Sequence, residues 1–166
     1  VLDADGRYGR IRLDERVPSL EESLRAPRAS TGQPTAIIVG SEPGSRWQYS
    51  GGGYLILQLL VEEVTQQPFG AVMRRAVLDP LDLSCSSFER TPSPNTAEEY
   101  DAAGRTAPRF QYAAAGATGF STCVRDMARW VQAHVEHGPA PPLVADLLRR
   151  MREPHGSQFG ADIWGL

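Results

Sequence analysis

No lysine occurs in the 166 residues, and all 17 basic residues are arginine. Proton-transfer mechanisms that need a lysine base are therefore excluded for this sequence. The basic residues are also scattered rather than clustered, and the net charge is -3. Because nothing in this distribution would follow a phosphate backbone, nucleic acid is not an expected partner.

Long apolar runs are absent as well. No stretch approaches the roughly 20 residues that span a bilayer, so no transmembrane segment is expected. The first residues, Val1 to Asp5, do not form the charged-then-apolar pattern of a signal peptide. Since the first residue is not Met, the sequence leaves the localisation open.

Cysteine is scarce, with one thiol at Cys85 and the other at Cys123. Their neighbours fit no short-spaced zinc pattern, so no metal or other cofactor is expected, and the sequence is compatible with either paired or free thiols. At 166 residues, 41% of them apolar, the chain has the size of one globular domain with a core.

Helical patterns dominate what is present. Ser19 and Glu22 have the spacing of a reciprocal cap and predict a short helix that Pro27 ends. Apolar residues on nearly every side predict a buried helix over 54–65. The other predicted helices run from Pro68 to Asp79-Pro80, from Val124 to about Glu136 as an amphipathic helix, and from Pro141 to Arg152.

Few segments have strand character. A short alternation around residues 10–13 indicates an exposed hairpin-like or edge segment. The β-branched run at 36–39 indicates a strand, and a final strand is predicted over 159–166. Residues 89–112 are rich in Pro, Thr, Glu and Arg and predict a long surface loop. Taken alone, the sequence predicts a mostly helical chain.

One segment resembles a known family. The residues from Pro43 and Gly44 to Tyr49, Ser50 and Gly51, followed by a helix, resemble the Tyr-x-Asn region of serine β-lactamases of the class C branch, which includes D-Ala-D-Ala peptidases and esterases. Further segments agree in the same order: Leu13 to Val17, Val77 to Leu81, Ala114 to Thr122, and Asp126 to Arg129. The resemblance implies an α+β, β-lactamase/transpeptidase-like fold, here mostly its helical region with few short strands, as a single partial domain over 1–166 that lacks the nucleophile helix and the Lys-Thr-Gly-type strand.

The resemblance also assigns candidate site residues. Tyr49 matches the catalytic tyrosine, while Ser50 and Gly51 occupy substrate-binding motif positions, with Gly51 in place of the motif's Asn. Read without the resemblance, Ser50 is a helix cap and the glycines from Gly51 to Gly53 allow close packing. Gln66 stands where the family often has a helix-ending glycine, and a non-glycine residue in a left-handed conformation costs roughly 1 kcal/mol or more. Asp82 likewise replaces a common glycine.

The family reaction is acyl-enzyme hydrolysis of β-lactams, D-Ala-D-Ala peptides or esters. Ser-x-x-Lys is absent here, and a phenol with an ordinary pKa of about 10 is almost wholly protonated at neutral pH, so this chain alone is expected to be inactive. The alternative is a non-catalytic module that binds a small or peptidoglycan-like ligand. Because the family's sheet is built from segments outside this region, exposed helical faces and self-association are also expected.

Overall fold

A computed structural model describes residues 11–25, 42, 45, 50–89, 93–135, 142–158 and 161–164; for 142–144, 154–158 and 161–164 it describes the backbone alone. The chain divides into two compact units. Among the described residues, unit 1 contains 11–25, 50–70, 88–89 and 93–120, and unit 2 contains 42, 45, 71–87, 121–135, 142–158 and 161–164. The strand predicted at 36–39 and the turn at Pro43-Gly44 lie outside the described residues.

Unit 1 begins with strand β1 (Ile11–Arg12), which pairs antiparallel with β2 (Phe110–Gln111). The predicted edge segment is thus confirmed, and its partner lies in the stretch predicted to be loop. The Gln111 Nε2 holds the turn after β1, because it donates to the carbonyls of Arg12 and Glu15 at 2.9 and 3.0 Å. The rest of the loop from 93 to 109 is irregular, with an isolated bridge between Tyr100 and Thr106.

Helix α1 (Leu20–Arg25) starts as the sequence predicts. The Glu22 amide donates to Ser19 Oγ at 3.1 Å, and the Ser19 amide donates to Glu22 Oε2 at 2.8 Å. This reciprocal cap satisfies two of the amide donors that a helix start leaves without partners inside the helix. Leu20 and Ser23 form the buried side of the helix, and α1 contacts α2.

Helix α2 (Gly51–Thr65) is the longest described helix and begins three residues earlier than predicted. Leu55 and Gln58 are buried, but four apolar residues have side chains with about half or more of their surface exposed: Ile56, Leu57, Leu60 and Val64. The prediction of a helix buried all round is therefore wrong. The apolar pattern requires a cover on this face, and the described chain does not supply one.

Gln58 organises the other face of α2. Its Oε1 accepts from the Gly116 amide at 3.0 Å, at the start of α4 (Ala115–Thr118), and its Nε2 donates to Glu62 Oε1 at 3.2 Å. Glu62 Oε1 also accepts from the Phe69 amide at 3.1 Å. A buried amide with both ends paired thus joins α2 to two later segments of unit 1, beside an aromatic group formed by Phe69, Phe88 and Phe120.

The second predicted helix is confirmed as α3 (Phe69–Met73), which continues as a π-helical turn over Arg74–Leu78 and ends at the predicted Asp79-Pro80. The Asp79 amide donates to the Arg74 carbonyl at 2.9 Å, the wider spacing of a π turn. The two residues that replace family glycines both have a left-handed backbone, with φ of 52° at Gln66 and 53° at Asp82.

In unit 2, α5 (Val124–His134) contacts α6 (Pro142–Met151), close to their predicted limits. The core contains Leu78, Leu81, Leu83, Ala133 and Leu148. The expected apolar exposure is observed on α5, where Val124, Val131 and the following Val135 have more than half of their surface accessible. The end of the chain forms a hairpin, β3 (Pro154–Gln158) with β4 (Ala161–Trp164), where one strand was predicted over 159–166.

Asp126 explains the rotation of α5, because its carboxylate faces the interior of unit 2. The carboxylate is 1% exposed, and its Oδ2 accepts from the Cys85 amide at 2.7 Å and from Ser86 Oγ at 2.8 Å. Arg129 on the same face pairs with Asp82 Oδ2 at 2.7 Å. Because a buried carboxylate is costly unless it is paired, these bonds fix the rotation of the helix, and the valines face outward.

We expect Gly119→Ala to destabilise unit 1. A Cβ at this position would lie 2.7 Å from the Ala115 Cα and 3.0 Å from its carbonyl oxygen, so the backbone of α4 would have to shift. Overpacking of this kind costs about 1–3 kcal/mol. The matched control is Gly70→Ala, whose Cβ would meet no atom closer than Phe88 Cβ at 3.6 Å. Urea unfolding measures both, and equal stability of the two variants would contradict the prediction.

Asp126→Asn is expected to destabilise unit 2 by about 1.5–3 kcal/mol, because hydrogen bonds to an ionised group are lost. Burial raises the pKa of Asp126, but bonds from Ser86 and the Cys85 amide and the nearby Cys123 thiol outweigh it, so its pKa lies below the ordinary value. Its contribution is therefore present above the unfolded pKa of about 3.9 and is lost as the pH falls through the folded pKa.

Urea unfolding between pH 3 and pH 7 checks this, with Asp146→Asn as the control. Asp146 makes an exposed ion pair with Arg149 on α6, and such pairs contribute about 0.3–0.5 kcal/mol. The Asp126→Asn chain should lose part of the acid dependence of the unmodified chain, whereas the control should keep it. An acid dependence unchanged by Asp126→Asn would refute the assignment.

Candidate functional site

The residues that the sequence proposes for the site surround the start of α2. Tyr49 lies outside the described residues. Ser50 is the N-cap of α2, and its Oγ accepts from the Gly53 amide at 3.0 Å. Gly51 is the first residue of the helix and is buried. The capping role of Ser50 is therefore observed, while the substrate-binding roles of Ser50 and Gly51 remain predictions.

The start of α2 has a defined electrostatic character. Its first turn contains no acidic residue, so no carboxylate of this turn offsets the amide dipoles. The N-terminus of a helix of this length favours an anion by about 0.3–1 kcal/mol. Tyr49 directly precedes this N-cap in the sequence.

A second cluster of reactive side chains lies in unit 2, and the sequence did not predict it. The thiols of Cys85 and Cys123 and a carboxylate oxygen of Asp126 lie within 4.8 Å of one another. Both cysteines are free, Cys85 being exposed and Cys123 partly buried at the N-cap of α5. Because 37 residues separate the two cysteines in sequence, no short-spaced motif signals their proximity.

The guanidinium of Arg125 flanks this cluster. It donates to Cys85 Sγ at 3.0 Å and to Ser84 Oγ at 3.3 Å, and its Nε lies 3.7 Å from Asp126 Oδ1. A hydrogen bond with Cys123 and partial desolvation raise the pKa of Cys85, and together they outweigh the opposing effect of Arg125. In the metal-free chain Cys85 is therefore a protonated thiol at neutral pH rather than a reactive thiolate.

None of the helices among the described residues is long and apolar enough to cross a membrane. This agrees with the absence of a long apolar run in the sequence.

Comparison with known proteins identifies similar chains and a matching family. The family model described as Beta-lactamase matches residues 9–163. Protein flp of Staphylococcus aureus (strain COL) is 26% identical over 122 residues, which cover 68% of this chain and 24% of flp. The chain thus spans about a quarter of the length of the curated relatives that it matches.

Solved structures agree in fold. The β-lactamase/D-alanine carboxypeptidase of Pseudomonas syringae superimposes with a TM-score of 0.67 at 20% identity, over 94% of this chain and 43% of that protein. The D-alanine carboxypeptidase AmpC of Burkholderia cenocepacia gives 0.59 at 20% identity, over 68% and 33%. The chain has the β-lactamase/transpeptidase-like α+β fold, represented mostly by helices, and it belongs to the β-lactamase family.

Proposed function

We propose that these residues contribute the tyrosine side of the acyl-transfer site of a β-lactamase-related serine hydrolase, and that this polypeptide alone forms no acyl-enzyme. The relatives' names include β-lactamases and D-alanine carboxypeptidases, so the proposed substrates are β-lactams, D-Ala-D-Ala peptides or related esters. The observation that carries the proposal is the capped start of α2 directly after Tyr49, within a family match that spans residues 9–163.

The size of the pKa shift that a tyrosine base would need argues against activity in this chain. Lowering the pKa of a phenol from about 10 to about 7 takes roughly 4 kcal/mol, at 1.36 kcal/mol for each pKa unit. The start of α2 supplies at most about 1 kcal/mol of that. The sequence contains no lysine that could supply the remainder and no Ser-x-x-Lys nucleophile. The proposed role of Tyr49 therefore requires groups that these 166 residues do not contain.

Covalent labelling tests the proposal. The purified chain, incubated with a fluorescent penicillin, should show no labelled band and no added mass, and Tyr49→Phe should behave identically. A native protein that contains this segment, isolated from its source cells, should exceed the 18.1 kDa of the chain and should be labelled on a serine outside it. Stable acylation of the 166-residue chain itself would refute the proposed inactivity.

The same samples distinguish the alternative of a binding module. A ligand that binds only the folded state raises the melting temperature, and the rise grows with the logarithm of its concentration once that exceeds the Kd. A rise with a D-Ala-D-Ala peptide, combined with no turnover and a native mass of 18.1 kDa, would replace the hydrolase proposal by a non-catalytic one.

We also expect two copies of the chain to associate through the apolar face of α2, formed by Ile56, Leu57, Leu60 and Val64. Clustered apolar side chains on one helix face make association favourable by the hydrophobic effect. Leu60→Glu should shift the chain toward monomer in sedimentation equilibrium. Gln132→Glu, which adds the same charge at an exposed polar position of α5, should leave the association unchanged. A monomeric unmodified chain at high concentration would contradict this expectation.

A further inference from the structure

The two carboxylate oxygens of Asp126 differ in their hydrogen bonds. Oδ2 accepts both hydrogen bonds, from the Cys85 amide and from Ser86 Oγ, and Ser86 Oγ is itself 2.8 Å from Thr122 Oγ1. Oδ1 is buried and has no hydrogen-bond partner, with Arg125 Nε 3.7 Å away. Buried polar atoms are nearly always paired, so an oxygen left in this state requires an explanation.

The arrangement around Oδ1 has the composition of a metal site. Two thiols and a carboxylate oxygen of Asp126 lie within 4.8 Å of one another. Zinc binds sulfur at about 2.3 Å and carboxylate oxygen at about 2.0–2.2 Å, which sets ligand atoms of a tetrahedral site about 3.5–3.8 Å apart. The side chain of Cys85 is exposed, so a rotation about its χ1 can close the remaining distance without disturbing the core.

The hydrogen bonds to Oδ2 resemble those that groups around a metal site donate to the metal's ligands. They hold the carboxylate in one orientation and leave the other oxygen available to a cation. The N-terminus of α5 adds weak positive potential at Cys123, which favours the thiolate form that a metal ligand requires.

The charges also balance. Two thiolates and one carboxylate carry three negative charges, Arg125 carries one positive charge, and a divalent cation carries two. The ligands with a metal and the arginine are therefore neutral together, whereas Arg125 by itself leaves an excess of negative charge once the thiols ionise. A partly buried site is most stable when its charges are compensated.

We propose that Cys85 Sγ, Cys123 Sγ and Asp126 Oδ1 bind one thiophilic divalent cation of the zinc class, with the fourth position open to water or to an external ligand. Asp126 is already ionised, so binding displaces one proton from each thiol and releases about two protons for each metal bound. Affinity should consequently rise with pH until both thiols are ionised. The proposal concerns unit 2 alone and does not depend on the proposed hydrolase function.

Cobalt(II) is the probe, added to the full 166-residue chain reduced with a phosphine. Thiolate coordination gives an intense near-ultraviolet charge-transfer absorption, and titration gives the stoichiometry. We expect one cobalt per chain, displaced by zinc. Cys85→Ser and Cys123→Ser should each abolish or strongly reduce the band. Ser86→Ala, which keeps the ligands but removes the donor that orients Asp126, should weaken binding about 10–100-fold. Ser84→Ala, beside Cys85 but not a ligand, should bind normally.

Protection from oxidation is the second measurement. A low-molecular-weight disulfide oxidises the two thiols to a Cys85–Cys123 disulfide by accepting two electrons and two protons, and is itself reduced to two thiols. Zinc-loaded chain should form this disulfide at least tenfold more slowly than metal-free chain. The proposal is overturned if no charge-transfer band forms, if the band survives in both cysteine variants, or if zinc gives no protection.

Discussion

A buried carboxylate on α5 sets the organisation of unit 2. Asp126 binds the Cys85 amide and the Ser86 hydroxyl from a segment about 40 residues earlier in the chain, and these two bonds place the first turn of α5 against that segment. An ionised group without partners at 1% exposure would cost several kcal/mol, so the rotation of α5 that satisfies Asp126 is strongly preferred. The outward position of Val124 and Val131 is a consequence of that rotation.

Unit 1 contains a similar buried polar side chain, which is uncharged. The side-chain amide of Gln58 is 2% exposed, and its two ends are paired with the Gly116 amide and the Glu62 carboxylate. A Cβ on Gly116 would lie 3.3 Å from the Phe69 ring, so the ring would have to shift by a few tenths of an ångström to accept one. In each unit, a buried polar side chain on a helix thus fixes contacts between segments that are distant in sequence, while one apolar face of the same helix remains exposed.

These exposed faces relate the fold to the family. A TM-score of 0.67 over 94% of this chain, but over only 43% of the Pseudomonas syringae protein, means that the chain corresponds to part of that fold. Apolar residues such as Leu57 and Leu60 have the composition of a core face without a cover among the described residues. The proposed function has the same division, because the motifs found here contain a tyrosine and a helix start, whereas the sequence contains no Ser-x-x-Lys motif.

Local patterns determined most elements by themselves. The reciprocal cap of Ser19 and Glu22 and the limits of the helices α3, α5 and α6 depend on interactions within a few residues, so the sequence predicted them. The family resemblance also followed from ordered motifs along the chain. The candidate site was predictable only as motif positions, of which Ser50 and Gly51 are observed at the start of α2.

Tertiary structure alone decided the features that join distant segments. The pairing of β1 with Phe110–Gln111 and the hairpin at Pro154–Gln158 depend on which segments meet, and no local periodicity reports that. The same holds for the thiols of Cys85 and Cys123 beside Asp126. Sequence spacing reports neighbours along a helix or strand, whereas the burial of one carboxylate determines which residues of two separate segments lie together.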